Sequence, residues 1–185
     1  SILYKLGYSH SICVDSDTYC NSQLDLSWIS KVNGIAGVDR GATVGKFLNN
    51  IGQLPEIKRL FKINNSGLLI KSMNTGVLVF NNIYCHDTKF AVRIHRIFSY
   101  SMTNGVPRKG DDSLFSIYMA IFNKTPFMYI DKRYNDYHFY KSRYIPKIEP
   151  IIIHYVFGKP WASKLIRGPV TTYYLHKWIN FKKTI

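Results

Sequence analysis

Three features of the sequence predict an α/β domain. Short apolar runs that end in polar residues alternate with segments whose apolar residues recur at helical spacing. The chain has 185 residues and 46% of them are hydrophobic, which is enough to bury a core in a single domain. No apolar stretch reaches the roughly 20 residues that a transmembrane helix needs. We therefore expect a sheet flanked by helices rather than a membrane-spanning bundle.

Three apolar runs predict the strands of this sheet. They are residues 11–14 (Ser-Ile-Cys-Val), residues 76–80 (Gly-Val-Leu-Val-Phe) and residues 151–153 (Ile-Ile-Ile). Each run is apolar at successive positions, and successive side chains of a strand point to opposite faces. We therefore expect helices to cover these strands on both sides.

Four segments predict helices. Residues 54–61 have Pro and Glu early and bases later, as the helix dipole favours. Residues 82–98 and 112–122 carry apolar side chains at helical spacing, and acids at the start of the second can cap it. Residues 171–181 can form an amphipathic helix, whereas residues 105–110, with two glycines and a proline, predict an exposed loop.

The charge of the chain favours polyanionic partners. Lys and Arg number 25 against 11 Asp and Glu, a net charge of +14. Residues 141–185 alone hold nine bases and one acid, Glu149. Nucleic acid, an anionic membrane surface and phosphorylated substrates all suit such a balance, and charge alone does not choose among them.

The cysteines predict a reducing compartment. Cys13, Cys20 and Cys85 are odd in number and lack the spacing of metal ligands, so we expect reduced thiols. The first residues also lack the charged region, long apolar core and small-residue cleavage site of a signal peptide. Together these features predict a cytoplasmic protein.

Two carboxylates at the end of the first predicted strand form a candidate metal site. Asp15 and Asp17 stand two residues apart, which puts both side chains on one side of an extended backbone. Like charges so close repel each other, and a divalent cation relieves that repulsion. The alternative is a solvated loop in which Asp17 caps the following turn.

A histidine and a Gly-Lys pair follow the last predicted strand. An imidazole at His154 suits a divalent ion such as Mn²⁺ when it completes two carboxylates. Gly158 lets the backbone approach a ligand closely, and Lys159 can pair with phosphate as a point charge. The alternatives are a structural histidine beside the apolar run and an ordinary basic turn.

In this order along the chain, five segments resemble those of glycosyltransferase family 8. The family includes glycogenin and bacterial enzymes that add glucose or galactose to lipopolysaccharide. The resemblance covers about residues 5–161, and the ordered set of five is far more specific than any one segment. The segments are Ile-Cys-Val-Asp-Ser-Asp (12–17) with Leu24 to Trp28, Met-Asn-Thr-Gly-Val-Leu-Val-Phe-Asn (73–81), Gly-Asp-Asp-Ser-Leu (110–114), the stretch 129–135 ending in Tyr-Asn, and His-Tyr-Val-Phe-Gly-Lys-Pro-Trp (154–161).

The resemblance implies a type-A glycosyltransferase fold and a retaining transfer of a hexose from a UDP-sugar to a saccharide. Asp15, Asp17 and His154 would hold Mn²⁺ or Mg²⁺ on the nucleotide diphosphate, so Asp15 would also contact the donor. Gly158 and Lys159 would meet its phosphates as the leaving group gains charge. The remaining donor-binding residues implied are Asn74, Thr75 and Gly76.

The resemblance also implies catalytic and acceptor residues. Asp112 would bind donor sugar hydroxyls, and Tyr134 and Asn135 would bind the acceptor. Gly110 replaces the family's first Asp in this motif, and Asp111 replaces its Gln near the reacting carbon. A carboxylate at Asp111 can act as a nucleophile or stabilise an oxocarbenium ion, and the same change can equally signal altered donor choice or a decayed site.

A second departure from the family lies in the last motif. It is one residue short between His154 and Lys159, and its glycine is displaced to Gly158.

The predicted organisation is a family-8-like domain over residues 1–161 and a basic, aromatic extension over residues 162–185. The family has a first strand and further βα elements before its Asp-x-Asp motif. This chain has only about ten residues there, so we expect a fold incomplete at its N-terminus, in a fragment or a naturally short protein.

The extension interleaves aromatic residues with Lys and Arg, which suits the interface of an anionic membrane, here the inner face of the plasma membrane. The alternative is that its aromatic residues pack on the domain and its bases form a solvated face. We expect no nucleic-acid partner, because no nucleic-acid motif accompanies the charge. For the whole chain, the alternative to a transferase acting on lipopolysaccharide or a related glycan is an inactive remnant or a basic surface-binding module of the same fold.

Overall fold

The computed structural model describes residues 2–106, 110–137, 148–154 and 176. Within these ranges no helix is long and apolar enough to cross a membrane. The helices of the described residues are α1 Ile2–Lys5, α2 Val44–Asn50, α3 Leu54–Phe61, α4 Asn65–Leu69, α5 Asn82–Asp87, α6 Phe90–Thr103 and α7 Asp111–Ile121. The strands are β1 His10–Val14, β2 Thr18–Cys20, β3 Ile35–Thr43, β4 Lys71–Asn81, β5 Phe127–Ile130, β6 Asp136–Tyr137 and β7 Ile152–His154.

The chain divides into two compact units. Unit 1 comprises Ser1–Cys13 and Ser27–Ile130, and unit 2 comprises Val14–Leu26 and Asp131–Ile185. The predicted boundary between residues 161 and 162 lies outside the described residues. The predicted helix over residues 171–181 also lies outside them, apart from His176, and so do positions 107–109 of the predicted loop. These three statements therefore stay predictions.

Unit 1 is built on a mixed sheet in the order β1-β4-β3-β5. β3 runs antiparallel to β4 and parallel to β5, with Ile35 opposite Phe80 on one side and Phe127 on the other. Neighbouring residues of β3 face opposite sides of the sheet. Ile35 belongs to a core cluster with residues of α2, α3, α6 and α7, whereas Ala36 packs with Val32 and Val79. The central strands are thus buried on both faces, as residues 76–80 predict.

Two of the predicted helices of unit 1 are confirmed almost to the residue. α3 spans the whole of the segment 54–61 and buries Ile57, while its Glu56 lies in the first turn and its bases in the last. α7 begins at Asp111 and ends at Ile121, and it buries most of its side chains, Tyr118 completely. Phe90 meets Tyr118 edge-on at 4.9 Å between ring centroids, which joins α6 to α7.

The segment 82–98, predicted as one helix, forms two helices. α5 ends at Asp87 and α6 begins at Phe90, because Lys89 between them adopts a left-handed backbone with φ of 54°. The hydroxyl of Thr88 donates to the carbonyl of Tyr84 at 2.7 Å, which closes the end of α5. The turn redirects the chain so that the Phe90 ring packs 5.4 Å from that of Phe80.

The first predicted strand forms but is not buried as expected. β1 occupies one edge of the unit 1 sheet, and Ile12 and Val14 are 37% and 49% exposed. Helices therefore do not cover β1 on both sides among the described residues. The apolar run at 11–14 correctly predicts the strand, but hydrophobicity alone does not distinguish a central strand from an edge.

Unit 2 contains a three-stranded sheet in the order β2-β7-β6. β7 is its middle strand and is fully buried, antiparallel to β2 and parallel to β6. The third predicted strand, residues 151–153, is therefore confirmed with a shift of one residue. This shift includes His154 in the ladder, and that register determines what the imidazole meets.

Candidate functional site

The ladder of unit 2 brings the three predicted metal ligands together. Thr18 of β2 lies opposite His154 of β7, so the residues just before β2 end beside the imidazole. The turn that leads into β2 is closed by Thr18, whose amide and hydroxyl donate to the carbonyl of Asp15 at 3.1 and 2.7 Å. The carboxylates of Asp15 and Asp17 consequently project to the same ring nitrogen.

The distances within this cluster fit a divalent cation. Nε2 of His154 lies 3.3 Å from Oδ2 of Asp15 and 3.0 Å from Oδ1 of Asp17. Two ligand bonds of about 2.1 Å at about 90° separate their ligand atoms by about 3 Å. All three ligand atoms lie within 4.8 Å of one another. Two carboxylate oxygens and an imidazole nitrogen are a donor set that Mn²⁺ accepts readily.

A buried amide orients the imidazole for this role. Nδ1 of His154 lies 3.3 Å from Oδ1 of Asn135, and both side chains are buried. Because an amide oxygen only accepts hydrogen bonds, Nδ1–H is the donor in the contact with Asn135. Nε2, directed at the two carboxylates, is then the ring nitrogen that would bind a metal ion.

The two residues predicted to bind the acceptor are both buried in unit 2. Tyr134 is 7% exposed and its hydroxyl donates to the carbonyl of Asp25 at 2.7 Å. Asn135 is 1% exposed and contacts His154. Their acceptor role stays a prediction, while the contacts described here fix the turn at residues 132–135 and the imidazole.

The predicted donor-sugar residues of unit 1 lie on a bulge of β4. Gly37 of β3 pairs with Leu78, yet its neighbour Val38 pairs with Asn74, so residues 75–77 stand out of the ladder. The Asn74 side chain supports this bulge by accepting from the amide of Gly76 at 2.9 Å. Bulges re-aim side chains and backbone groups and are common beside active sites.

Asp112 anchors the same bulge from the first turn of α7. Its Oδ1 accepts from the amide of Thr75 at 3.1 Å and from the Thr75 hydroxyl at 2.7 Å. Its Oδ2 forms an ion pair with the guanidinium of Arg40. The structure therefore brings Asn74, Thr75, Gly76 and Asp112 together, as the resemblance implies, and adds Arg40 to them.

The other half of this acidic motif is arranged differently. Asp111 is exposed and borders a cavity of about 290 Å³ beside Ser113 and Leu114 of α7. Gly110, where the family has its first Asp, has φ of 88° and ψ of −177°, a backbone region essentially restricted to glycine. The departure at Gly110 is therefore a backbone requirement at the start of α7.

Charged and phenolic groups at the end of β3 have shifted pKa values. Partial burial would raise the pKa of Asp39, but the amide of Gly41 and the ammonium of Lys71 together hold it below its ordinary value of 3.8. Lys71 Nζ lies 2.9 Å from Asp39 Oδ2. Burial raises the pKa of Tyr129 to about 12, helped by the charge of Asp39, so this phenol stays protonated and donates to the Lys71 carbonyl.

Sequence reasoning missed Arg40, and two of the residues that it proposed for the site cannot be placed in the structure. Gly158 and Lys159, predicted to meet the phosphates, lie outside the described residues. Arg40 was not predicted because it lies within a strand and belongs to none of the five segments that resemble the family. One signal was available: Gly41 follows it within an otherwise regular strand, and glycine there commonly marks a bulge.

Solved structures of glycosyltransferases resemble this chain in fold. One is the galactosyltransferase LgtC in complex with donor and acceptor sugar analogues, at 13% identity over 92% of this chain and 61% of LgtC, with a TM-score of 0.51. Another is GlyE of Streptococcus pneumoniae TIGR4, at 17% identity over 96% and 44%, with a TM-score of 0.56. A third is mouse xyloside xylosyltransferase 1, at 13% identity over 82% and 59%, with a TM-score of 0.52.

These likenesses confirm the type-A glycosyltransferase fold. The chain spans less than two thirds of the length of each of these structures. No curated protein sequence matches the chain. The model of a family described as glycosyl transferase family 8 matches residues 3–164, which confirms the resemblance found in the five ordered segments. The chain therefore belongs to glycosyl transferase family 8.

Proposed function

We propose that this protein transfers a hexose from a UDP-sugar to a saccharide acceptor and depends on a divalent cation. The observation that carries the proposal is the cluster of Asp15, Asp17 and His154, in which a buried amide contacts Nδ1 and Nε2 is directed at the two carboxylates. Membership of a glycosyltransferase family supports the reaction type. Mn²⁺ or Mg²⁺ is the proposed ion.

The ligands are proposed to serve the departing diphosphate. A divalent cation held by the two aspartates and His154 would neutralise the charge that develops on the leaving group. Gly158 is proposed to let the backbone approach the same diphosphate closely. Lys159 is proposed to place a positive charge beside it. In this proposal Asp15 contributes to both metal and donor binding.

Unit 1 is proposed to bind the sugar of the donor. Thr75 and Gly76 lie in a bulge that the Asn74 side chain supports, and Asp112 fixes the Thr75 backbone. Retention of configuration would follow if the Asp111 carboxylate attacked the anomeric carbon and displaced UDP, after which the acceptor hydroxyl would displace Asp111 and pass its proton to the departing carboxylate. Front-face attack by the acceptor gives the same stereochemistry and would leave Asp111 to stabilise the positive charge on the sugar.

Calorimetric titration of UDP in the presence and absence of Mn²⁺ tests the proposal. We expect metal-dependent binding that disappears in Asp17→Ala. A matched control is Asp87→Ala, because Asp87 also contacts a histidine, His86 at 3.2 Å, but the pair is exposed. If the unaltered protein binds UDP no better with Mn²⁺ than without it, the transferase proposal is wrong, and an inactive remnant or a surface-binding module replaces it.

The acceptor and the cellular location are further parts of the proposal. The acceptor is proposed to be lipopolysaccharide or a related surface glycan, and residues 162–185 are proposed to bind the anionic inner face of the plasma membrane. The net charge of +14 supports this attraction. Vesicles with anionic lipids should sediment the protein at low salt and release it at high salt; failure to sediment at low salt would remove the membrane part alone.

A further inference from the structure

We propose that Arg40 is a positioning residue for the donor-sugar site, acting through Asp112 on the backbone of Thr75. The proposal rests on the function proposed above, which assigns residues 74–76 to the donor sugar. Arg40 belongs to none of the sequence segments that resemble the family. Its assignment comes from a second bulge, from its ion pair and from the packing of its guanidinium.

A bulge in β3 takes Arg40 out of the regular ladder. Asp39 pairs with Met73 and Thr43 pairs with Lys71, so residues 40–42 of β3 stand opposite Ser72 alone. The bulge requires Gly41, whose φ is 78°, and the Asp39 side chain stabilises it by accepting from the Gly41 amide at 2.8 Å. Each strand of the pair thus bulges once, β3 at Arg40 and β4 at Thr75.

Two contacts hold the Arg40 guanidinium. It forms an ion pair with Oδ2 of Asp112, and it stacks over the ring of Phe47 at 4.6 Å. Only 20% of its side chain is exposed, and its Nε is buried with no hydrogen-bond partner among the described residues. The ion pair and the stacking therefore fix its position, and the stacking depends on the flat shape of the guanidinium.

The Asp112 carboxylate transmits this position to the bulge of β4. One of its oxygens binds Arg40 and the other binds the amide and the hydroxyl of Thr75. With both oxygens engaged, the carboxylate acts as a clamp between two bulges. Removal of Arg40 would free the carboxylate to rotate, and the Thr75 amide would lose its fixed acceptor. The geometry of residues 74–76 would loosen without any change in the metal ligands of unit 2.

Kinetics of donor hydrolysis test this proposal without knowledge of the acceptor. Water replaces the acceptor hydroxyl at the anomeric carbon, and UDP release is measured with UDP-glucose and UDP-galactose as separate donors in the presence of Mn²⁺. We expect Arg40→Ala and Asp112→Asn each to lower kcat/KM about 100-fold through loss of positioning. The double variant should lose no more than either single variant, because both remove the same clamp.

Two further variants separate positioning from general structure. Arg40→Lys keeps the charge but loses the flat group that stacks on Phe47, so it should recover at most about a tenth of the activity. Arg93→Ala is the matched control, because Arg93 stacks over Phe122 at 4.5 Å and takes no part in the proposed site. It should stay within about twofold of the unaltered protein. If Arg40→Ala unfolds, Arg40→Lys supplies the same comparison.

Hydrogen exchange of the Thr75 amide gives a readout that needs no activity. We expect Arg40→Ala and Arg40→Lys to speed this exchange about tenfold or more, with Arg93→Ala unchanged. Unchanged Thr75 exchange in the Arg40 variants, or losses of kcat/KM that multiply in the double variant, would overturn the role of Arg40. Failure of the proposed function gives a different result, because the unaltered protein would neither bind UDP with Mn²⁺ nor hydrolyse the donors. The exchange of the Thr75 amide would still show whether Arg40 holds that backbone in place.

Discussion

The imidazole of His154 is oriented by Asn135, whose Oδ1 lies 3.3 Å from Nδ1 on the side of the ring away from the aspartates. The contact is buried, since Asn135 is 1% and His154 6% exposed. It holds Nδ1 as a donor to Asn135, so Nε2 is the ring nitrogen left for a cation. The candidate metal site of unit 2 thus depends on a fourth residue that contributes no ligand atom.

Substitution of Asn135 by Leu should weaken metal binding. Leu fills a similar volume but accepts no hydrogen bond, so the ring is free to rotate and to change its tautomer. We expect the affinity for Mn²⁺ to fall about 10-fold to 100-fold, as for other residues that orient metal ligands. Titration with Mn²⁺ followed by electron paramagnetic resonance measures the effect directly.

Asn21→Ala is a suitable control for that experiment. The Asn21 amide donates to the Pro150 carbonyl at 2.9 Å, also in unit 2, but does not touch the imidazole. Its Mn²⁺ affinity should be close to that of the unaltered protein. Equal affinity in Asn135→Leu and the control would mean that the His154 tautomer does not depend on Asn135.

Tyr134→Phe should reduce stability and leave metal binding intact. The substitution removes the hydroxyl that donates to the carbonyl of Asp25 at 2.7 Å, and the ring remains to fill the buried space. We expect the free energy of unfolding to fall by about 1 kcal/mol, the usual value for one such hydrogen bond. Chemical denaturation measures this loss, and a free energy equal to that of the unaltered protein would contradict it.

The sequence predicted the helices whose signals are local. Pro and Glu at the start of α3 and acids at the start of α7 lie next to the apolar spacing that they delimit. The break between α5 and α6 has no such signal, because Thr88 and Lys89 are compatible with a helix. The contacts of Phe90 with Phe80 and Tyr118 are made only in the folded chain, and they accompany the left-handed turn.

The candidate site was predictable where it depended on motifs and hidden where it depended on strand register. Asp15, Asp17 and His154 follow from residue type, spacing and the resemblance, and the structure brings them together. Arg40 contacts Asp112 from a bulge of β3, and the register of two strands far apart in sequence cannot be derived from either one. The orientation of His154 by Asn135 was missed for the same reason, since it requires the register of β7.

Asp39→Asn should lower stability near neutral pH but not in acid. The amide keeps an acceptor for Gly41, so the substitution isolates the ion pair with Lys71. Because the pKa of Asp39 is lowered in the folded state, its contribution is present above the unfolded value of 3.8 and is lost as the pH falls through the folded value. Since Lys71 is 63% exposed, we expect a difference of only about 0.5 kcal/mol at pH 7.

Denaturation at pH 7 and at low pH measures the Asp39 effect. The curves of the unaltered protein and of Asp39→Asn should converge as the pH falls below 3.8 and through the lowered pKa of Asp39. In a Lys71→Met background the difference at pH 7 should shrink, because the partner charge is already gone. A gap between the two proteins that persists unchanged into acid would show that the ion pair is not its source.

Gly67→Ala should destabilise unit 1 more than its small size suggests. Gly67 lies in α4 against α7, and an added Cβ would overlap the carbonyl oxygen of Ala120. We expect a loss of about 2 kcal/mol by chemical denaturation, within the range for overpacked sites. Leu69→Ala, at a side chain 72% exposed on the same helix, should change stability by less than about 0.5 kcal/mol. Because the overlap is with backbone atoms, the double variant Gly67→Ala with Ala120→Gly should be no more stable than Gly67→Ala alone. Recovered stability in the double variant would contradict this explanation. It would mean that crowding by the Ala120 side chain, and not the close approach of the two helix backbones, requires glycine at position 67.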